Sequence, residues 1–418
     1  MKKIYALSIL LIALIMALPE IANAIPAFSR KHGFNCNMCH TAYPKLNDFG
    51  QRFRDNGYQI PGQEGKEKSI FATPPPLALR VLPGHTVYRS QCCTTAGFNI
   101  YGLDLLAAGV FHENVSFLFI YTPRIDTPAA DFTGPDNGNN PSQLAVIESA
   151  NVVFSNIVQN KFNLRIGRFE PSYLPISGKR SYYIFSPYDV YDFSTPLNSF
   201  VLSENQLGME ATGHFKGGFK YGFGIINGNN GEPDNNTFKD FYFNVSKTFG
   251  RGDGQSAGQR LGAFLVYGWQ PTDFTDAFLS PFGETNGKDN KPYYRLGAAA
   301  SLNWYTLNIL VLYMRGADDK ALNPVKPTED YTFDGGFAEV DWAVLHNNRL
   351  VLSLLYNWVN APAFDSQKGS KAFSVLGRYY VGNWEAVNVA LHLEYTRKKY
   401  NNCQLKEDLF ATVLDFAF

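Results

Sequence analysis

Cys36-Asn37-Met38-Cys39-His40 holds the most explicit chemistry in this chain of 418 residues. In a C-x-x-C-H run, two thiols can couple to the two vinyl groups of a haem while the adjacent imidazole meets the iron as proximal ligand. A thioredoxin-like dithiol would want a βαβ context, and half a zinc site would want a further ligand pair nearby. The sixth iron position has two histidine candidates, His32 just ahead of the motif and His85 at the start of the strand-rich region. Met209 and Met314 lie far along the chain, Met38 is badly placed inside the attachment loop, and an open iron site is the remaining option.

The stretch after the motif predicts a helix that packs on such a group. Pro44 suits a first-turn position, Leu46, Phe49 and Phe53 fall at i, i+3 and i+7, and Gly57 can end the helix. An amphipathic helix in a small domain would read the same way. Residues 25–76 are too few to fold without a staple such as a bound cofactor, so the two readings converge.

The elements that position this segment begin with an export signal. Lys2 and Lys3 precede an apolar run from Ile4 to Leu18, and Ala22-Asn23-Ala24 has the form of a signal-peptidase site, so residues 1–24 read as a signal peptide. No later apolar run is long enough for a transmembrane helix. An exported chain of this kind is either soluble or a barrel.

Period-2 alternation points to the barrel. Leu350, Leu352, Leu354, Tyr356 and Trp358 alternate with Val351, Ser353, Leu355 and Asn357. Val387, Val389, Leu391, Leu393 and Tyr395 alternate with Asn388, Ala390, His392 and Glu394. Sixteen such segments can be marked: 77–87, 98–110, 114–123, 144–157, 162–171, 205–215, 219–228, 237–250, 259–270, 291–303, 306–316, 330–345, 349–360, 371–382, 385–397 and 407–418. Connections after even-numbered segments are mostly short. Those after odd-numbered ones include the long stretches 124–143, 172–204, 271–290 and 317–329. The expected fold is therefore all-β, a sixteen-stranded antiparallel transmembrane barrel (77–418) with a small helical haem segment (25–76) at its N-terminus. Tight turns and both barrel ends would face the periplasm, with long loops outside. A C-terminal Phe418 on an alternating last strand suits an outer-membrane barrel.

Composition agrees. Aromatics make up 15% of the chain and charged residues only 18%. Tyr356, Trp358, Tyr379, Tyr380, Trp269 and Tyr313 stand where interfacial girdles would lie. The count of 37 basic against 37 acidic residues argues against a nucleic-acid partner. Residues 25–76 carry 7 basic and 4 acidic side chains, the barrel 28 and 32, a modest complementarity that favours docking of one on the other. Arg378, His392 and Glu394 form a wall patch suited to hold the haem segment.

Ile25-Pro26-Ala27-Phe28-Ser29-Arg30-Lys31-His32-Gly33-Phe34, the Cys36–His40 motif and Tyr43-Pro44-Lys45-Leu46-Asn47-Asp48-Phe49-Gly50-Gln51-Arg52-Phe53-Arg54-Asp55-Asn56-Gly57-Tyr58 resemble the fused outer-membrane cytochrome–porin family. That resemblance implies one covalent haem c on Cys36 and Cys39, with His40 on the iron, joined to a sixteen-stranded barrel. It also implies electron transfer across the outer membrane, with extracellular Fe(II) as donor in the best-known members.

Other residues are secondary candidates. Cys92, Cys93 and Cys403 fall in loops that become neighbours if the last strand closes on the first, so a disulfide clamp is expected without a fixed pairing. The 172–204 loop, with Tyr173, Tyr182, Tyr183, Phe185, Tyr188, Tyr191 and Phe193, is expected either in the lumen or as a surface loop. Asp126, Asp131 and Asp136 could attract Fe(II).

The leading expectation is a one-electron conduit from an extracellular donor through haem to a periplasmic cytochrome or other soluble carrier. Iron redox cycling would do the work, with no acid–base active site. The alternative is a diffusion porin whose haem segment senses redox state or docks a partner. A soluble exported haem protein is a third reading.

Overall fold

A computed structural model describes residues 27–34, 36–72, 77–91, 93–123, 146–159, 161–185, 187–250, 258–279, 285–345, 348–384, 387–401 and 405–417. The expected signal segment, Cys92, Cys403, Phe418 and the loop bearing Asp126, Asp131 and Asp136 lie outside these residues. The first described elements are helix α1 (Ala27–His32), the single turn α2 (Cys36–Cys39), a hairpin of β1 (His40–Ala42) and β2 (Lys45–Leu46), and helix α3 (Asp48–Asp55). The barrel follows. Its first eight strands are β3 (Leu77–Arg89), β4 (Thr94–His112), β5 (Val115–Thr122), β6 (Val146–Phe154), β7 (Asn163–Phe169), β8 (Gln206–Phe215), β9 (Phe219–Ile226) and β10 (Asp240–Phe249). The second eight are β11 (Gln259–Leu279), β12 (Thr285–Trp304), β13 (Leu307–Asp318), β14 (Tyr331–Ala343), β15 (Leu350–Asn360), β16 (Ser370–Trp384), β17 (Val387–Tyr400) and β18 (Lys406–Ala417).

These sixteen strands pair antiparallel in sequence order, and β18 closes on β3 with Phe410 opposite Val87. Closure leaves no edge, which is the condition for strands to sit in lipid, where backbone polar groups have no water to bond. Among the described residues no helix is long and apolar enough to cross a membrane.

Register explains the outer surface. Leu302, Ile309, Val340, Leu354, Val375, Tyr395 and Phe410 are successive cross-strand partners from β12 to β18. Six of the seven are exposed apolar side chains, from Val340 at 36% to Leu354 at 49%, and Tyr395 is half-exposed. Side chains one residue away, such as Glu339, Ser353, Ser374 and Glu394, are buried inside the wall. A continuous apolar belt of this kind suits lipid on the outside. Trp304, Tyr305, Phe215 and Phe249 are exposed near the short-turn end, and Tyr267, Tyr313 and Tyr356 near the other.

Three expectations need correction. The stretch 271–290 is largely hairpin, because β11 and β12 run on with Asp273 opposite Lys288 past Pro271. Its Pro, Thr and Asp content hid the alternation. Tyr380 belongs to no girdle: it is 4% exposed and points inward, while Tyr379 on the opposite face of β16 does not. The helix begins after Asn47, not at Pro44, which lies in the turn between β1 and β2. Asn47 Oδ1 accepts from Gly50 N at 2.9 Å and caps α3. Gly57 does terminate it, at φ +67°, with its N–H donating to Arg54 O.

The belt generates a test. Leu354→Arg should cost about 2–4 kcal/mol, the range for a cation on the lipid face near the midplane. The buried neighbour change Ser353→Ala should cost far less. Urea-driven unfolding from lipid vesicles measures both, and equal losses would deny that Leu354 faces lipid.

Candidate functional site

The C-x-x-C-H run is built as one helical turn followed by a strand residue, and α3 clamps it from behind. Asn47 N donates to Cys39 O at 2.9 Å, and Asn47 Nδ2 donates to Met38 O at 3.1 Å. Gly50 permits the close approach: a Cβ there would stand 2.1 Å from Cys39 O. Asn47 and Gly50 thus hold the motif's carbonyls, a role that helical periodicity does not reveal. Their offset after C-x-x-C-H is the only signal for it.

His40 is oriented by its own turn. Its Nδ1 lies 3.1 Å from Pro44 O. A carbonyl only accepts, so Nδ1 carries the proton and the Nε2 lone pair is left for a metal. Burial pushes the imidazole down to about 4, against smaller opposing hydrogen bonds, so the ring is neutral at ordinary pH. Burial likewise raises the Cys39 thiol to about 11.

An aromatic cluster packs beside the turn. Phe53 is 4% exposed; its ring stacks on Phe49 at 6.3 Å and meets Phe28 edge-on at 5.1 Å. Tyr58 stacks on Phe28, and Phe34 contacts Phe49. Leu46 packs beside Gly50. His32 joins the same cluster, 5.9 Å from the Phe53 ring. Its Nε2 is buried without a hydrogen bond, the nearest carboxylate being Glu67 at 3.6 Å. His85 is placed elsewhere. It sits on the outer face of β3 against the exposed Phe98, while its neighbour Thr86 points inward, so alternation removes His85 from the distal candidates.

The residues present fit a c-type haem: a one-turn C-x-x-C, a His40 ring with Nε2 free, an apolar aromatic wall, and a buried His32 nitrogen that makes no hydrogen bond.

This segment lies in the barrel mouth at the short-turn end. Lys45 Nζ reaches Glu339 at 2.6 Å and also Asp341, both on β14. Asp55 meets Lys220 at 2.6 Å, His214 at 2.9 Å and Arg54 at 3.0 Å. Burial opposes ionisation of Asp55, yet Lys220, Arg54 and His214 hold its carboxyl well below the usual range. Asp48 pairs with Arg260 at 3.1 Å, and Asn348 Nδ2 donates to Thr41 O at 2.7 Å. Residues beyond α3 line the rim, with Gln59 on Ser155 and Ile70 N on Val110 O.

The wall patch divides its labour. Arg378 pairs with Asp415 at 2.5 Å and donates to Tyr380 Oη at 3.2 Å, and the Tyr380 hydroxyl donates to Tyr43 O. Arg80 binds Asp415 through two nitrogens and covers the Tyr43 ring at 5.7 Å. Arg378 therefore grips the N-terminal segment through Tyr380. His392 and Glu394 do not; they bond each other at 2.9 Å, and Glu394 accepts Ile184 N from the long loop.

That loop, residues 170–205, folds into the lumen rather than over the surface. Tyr173, Tyr182, Tyr183, Tyr188 and Tyr191 are all buried. Tyr188 stacks on Phe337 with ring centres 3.8 Å apart and donates to Glu339 at 2.6 Å. Asp189 accepts from Ser370 and pairs with Lys398. The loop meets the N-terminal segment where Arg180 pairs with Glu170, Arg54 approaches Glu170 at 3.7 Å, and Lys45 lies over the Tyr182 ring at 4.6 Å.

Cys93 is exposed, with its backbone carbonyl accepting Ser90 N. The pairing of β18 with β3 does make the first and last loops neighbours.

Two outcomes follow. Lys45→Ala leaves Glu339 and Asp341 buried without their cation, a loss of about 3–5 kcal/mol for a broken buried pair. Limited trypsin should then cut at Arg52 and Arg54 far faster, and unchanged protection would deny that Lys45 anchors the segment. Gly50→Ala forces a Cβ onto the Cys39 carbonyl, at about 1–3 kcal/mol of overpacking. Trypsin cleavage at Arg52 and Arg54 should quicken, with the barrel's heat-modifiable migration preserved.

No family model matches the chain, and no curated protein matches it. Solved structures do. The outer membrane channel DcaP of Acinetobacter baumannii aligns with TM-score 0.55 at 8% identity, covering 82% of this chain and 96% of that one. OprB of Pseudomonas putida gives 0.52 at 10%, covering 84% and 95%. An anion-selective porin from Comamonas acidovorans gives 0.51 at 14%, covering 82% and 98%. At such identities the likeness speaks for the fold: this chain is a closed antiparallel barrel of the porin type.

Proposed function

We propose that the chain is an outer-membrane barrel that carries a c-type haem on its luminal segment and serves one-electron transfer. The donor would be extracellular, Fe(II) by the family resemblance, and the acceptor a periplasmic c-type cytochrome or other soluble carrier. The observation that carries this reading is the seating of the C-x-x-C-H turn in the barrel mouth with the His40 ring already oriented. Cys36 and Cys39 would hold the haem, His40 would be the proximal ligand, His32 the distal candidate, and Leu46, Phe49 and Phe53 its packing surface. Once bound, the group supplies a one-electron iron couple.

The chain's own contribution is position and insulation. Pro44 O fixes the His40 tautomer, and Asn47 and Gly50 fix the turn that carries it. The tyrosine-rich loop and the segment pack against each other across the lumen and restrict free solute passage. The belt sets the barrel in lipid. In this reading the short turns face the periplasm, which puts the haem turn on the side of the soluble carrier.

A diffusion porin whose haem segment senses redox state or docks a partner is the second reading, and the likeness to solved porins favours it. One set of measurements separates the two. Purified protein should show covalent haem that Cys36→Ala loses, rapid haem reduction by Fe(II) in stopped flow, and little liposome swelling with sugars. Brisk swelling with no reduction by Fe(II) would establish the porin reading instead.

A further inference from the structure

A cavity of about 110 Å³ lies between the N-terminal segment, the luminal loop and the barrel wall. Lys45 and Arg54 line it from the segment, Arg180 from the loop, and Lys220 and Arg260 from β9 and β11. Serines and asparagines supply most of its other polar lining, and among the described residues no carboxylate takes part. The acidic partners stand behind the cations: Glu339 and Asp341 at Lys45, Glu170 at Arg54 and Arg180, Asp55 at Lys220, Asp48 at Arg260. Five cationic groups from three separate parts of the chain thus converge on one partly open space of mixed polar and apolar lining. Such an arrangement recognises an anion, and guanidinium groups favour carboxylates by their fork of donors.

Its location narrows the anion. Thr41, the residue after His40, lines the cavity, as does Leu46 from the proposed haem-packing set. A haem bonded to cysteines along its vinyl edge carries two propionate carboxylates on the opposite edge. Carboxylates inside a lumen are costly to bury unless paired. We infer that this cavity receives the haem propionates, with Arg180, Arg54 and Lys220 as their partners. The inference rests on the haem reading given above.

The test uses purified holoprotein in detergent, with redox titration and resonance Raman spectroscopy of the propionate bending band. Arg180→Gln should shift that band and lower the midpoint potential, because a cation lost beside the haem favours the ferric state. Arg180→Lys keeps the charge and should recover most of the potential. Lys179→Gln, whose parent side chain pairs with Glu148 outside the cavity, should be silent. If Arg180→Gln does not fold, judged by heat-modifiable migration, Lys220→Gln carries the same measurement.

An unmoved propionate band overturns the assignment even if the potential falls, since charge at a distance would explain that fall. A wild-type potential that shifts with inorganic phosphate, and loses the shift in Arg180→Gln, also overturns it by giving the cavity to free anions. Wild-type protein lacking covalent haem altogether would sink the functional reading and this assignment together, whereas the first two outcomes leave the functional reading standing.

Discussion

Lys45 is where the three parts of the molecule meet. Its ammonium group reaches Glu339 and Asp341 on the wall and lies over the Tyr182 ring of the loop, while its backbone belongs to the N-terminal segment. Glu339 in turn accepts the Tyr188 hydroxyl. Two neighbouring carboxylates on one inward face of β14 would repel in the absence of a cation, and water inside a packed lumen gives little relief. One side chain from a small segment therefore fixes wall and loop at once. The second ionic knot, around Asp55, holds the C-terminal end of α3 to β8 and β9.

That arrangement depends on strand register. On β14, Glu339 and Asp341 point inward while Val340 and Trp342 are exposed. A slip by one residue would turn both carboxylates toward lipid and the apolar pair into the ionic lumen. The lipid belt and the docking site are two sides of one alternation, so whatever holds the first holds the second.

Much of this was legible in the sequence. Alternation located all sixteen strands, and connection lengths separated the two ends, because both are local properties of the chain. The C-x-x-C-H motif is local too. What escaped were choices made across long separations or by a single competing contact. The bond from Tyr380 to Tyr43 O joins residues 337 apart, and the Asp55–His214 pair spans 159. No spacing rule foretells either. His85 was a reasonable iron ligand by type, yet the face of β3 it occupies excludes it. Pro44 resembled a helix start, but Asn47 offers a cap with a side-chain oxygen, and the chain first makes a short hairpin. Arg378 was marked as part of a docking patch and does grip the segment, whereas its companions His392 and Glu394 serve the loop.

The connection from Asp55 at the end of α3 to Leu77 at the start of β3 makes the N-terminal segment a tethered ligand of its own barrel. A short tether sets a local concentration on the order of millimolar. At that concentration, individually weak contacts suffice for near-complete occupancy, and a copy of the segment supplied from outside would compete poorly. The mouth of each barrel is in effect reserved for the segment it is attached to, and segment and barrel stay matched one to one without any subunit having to find another.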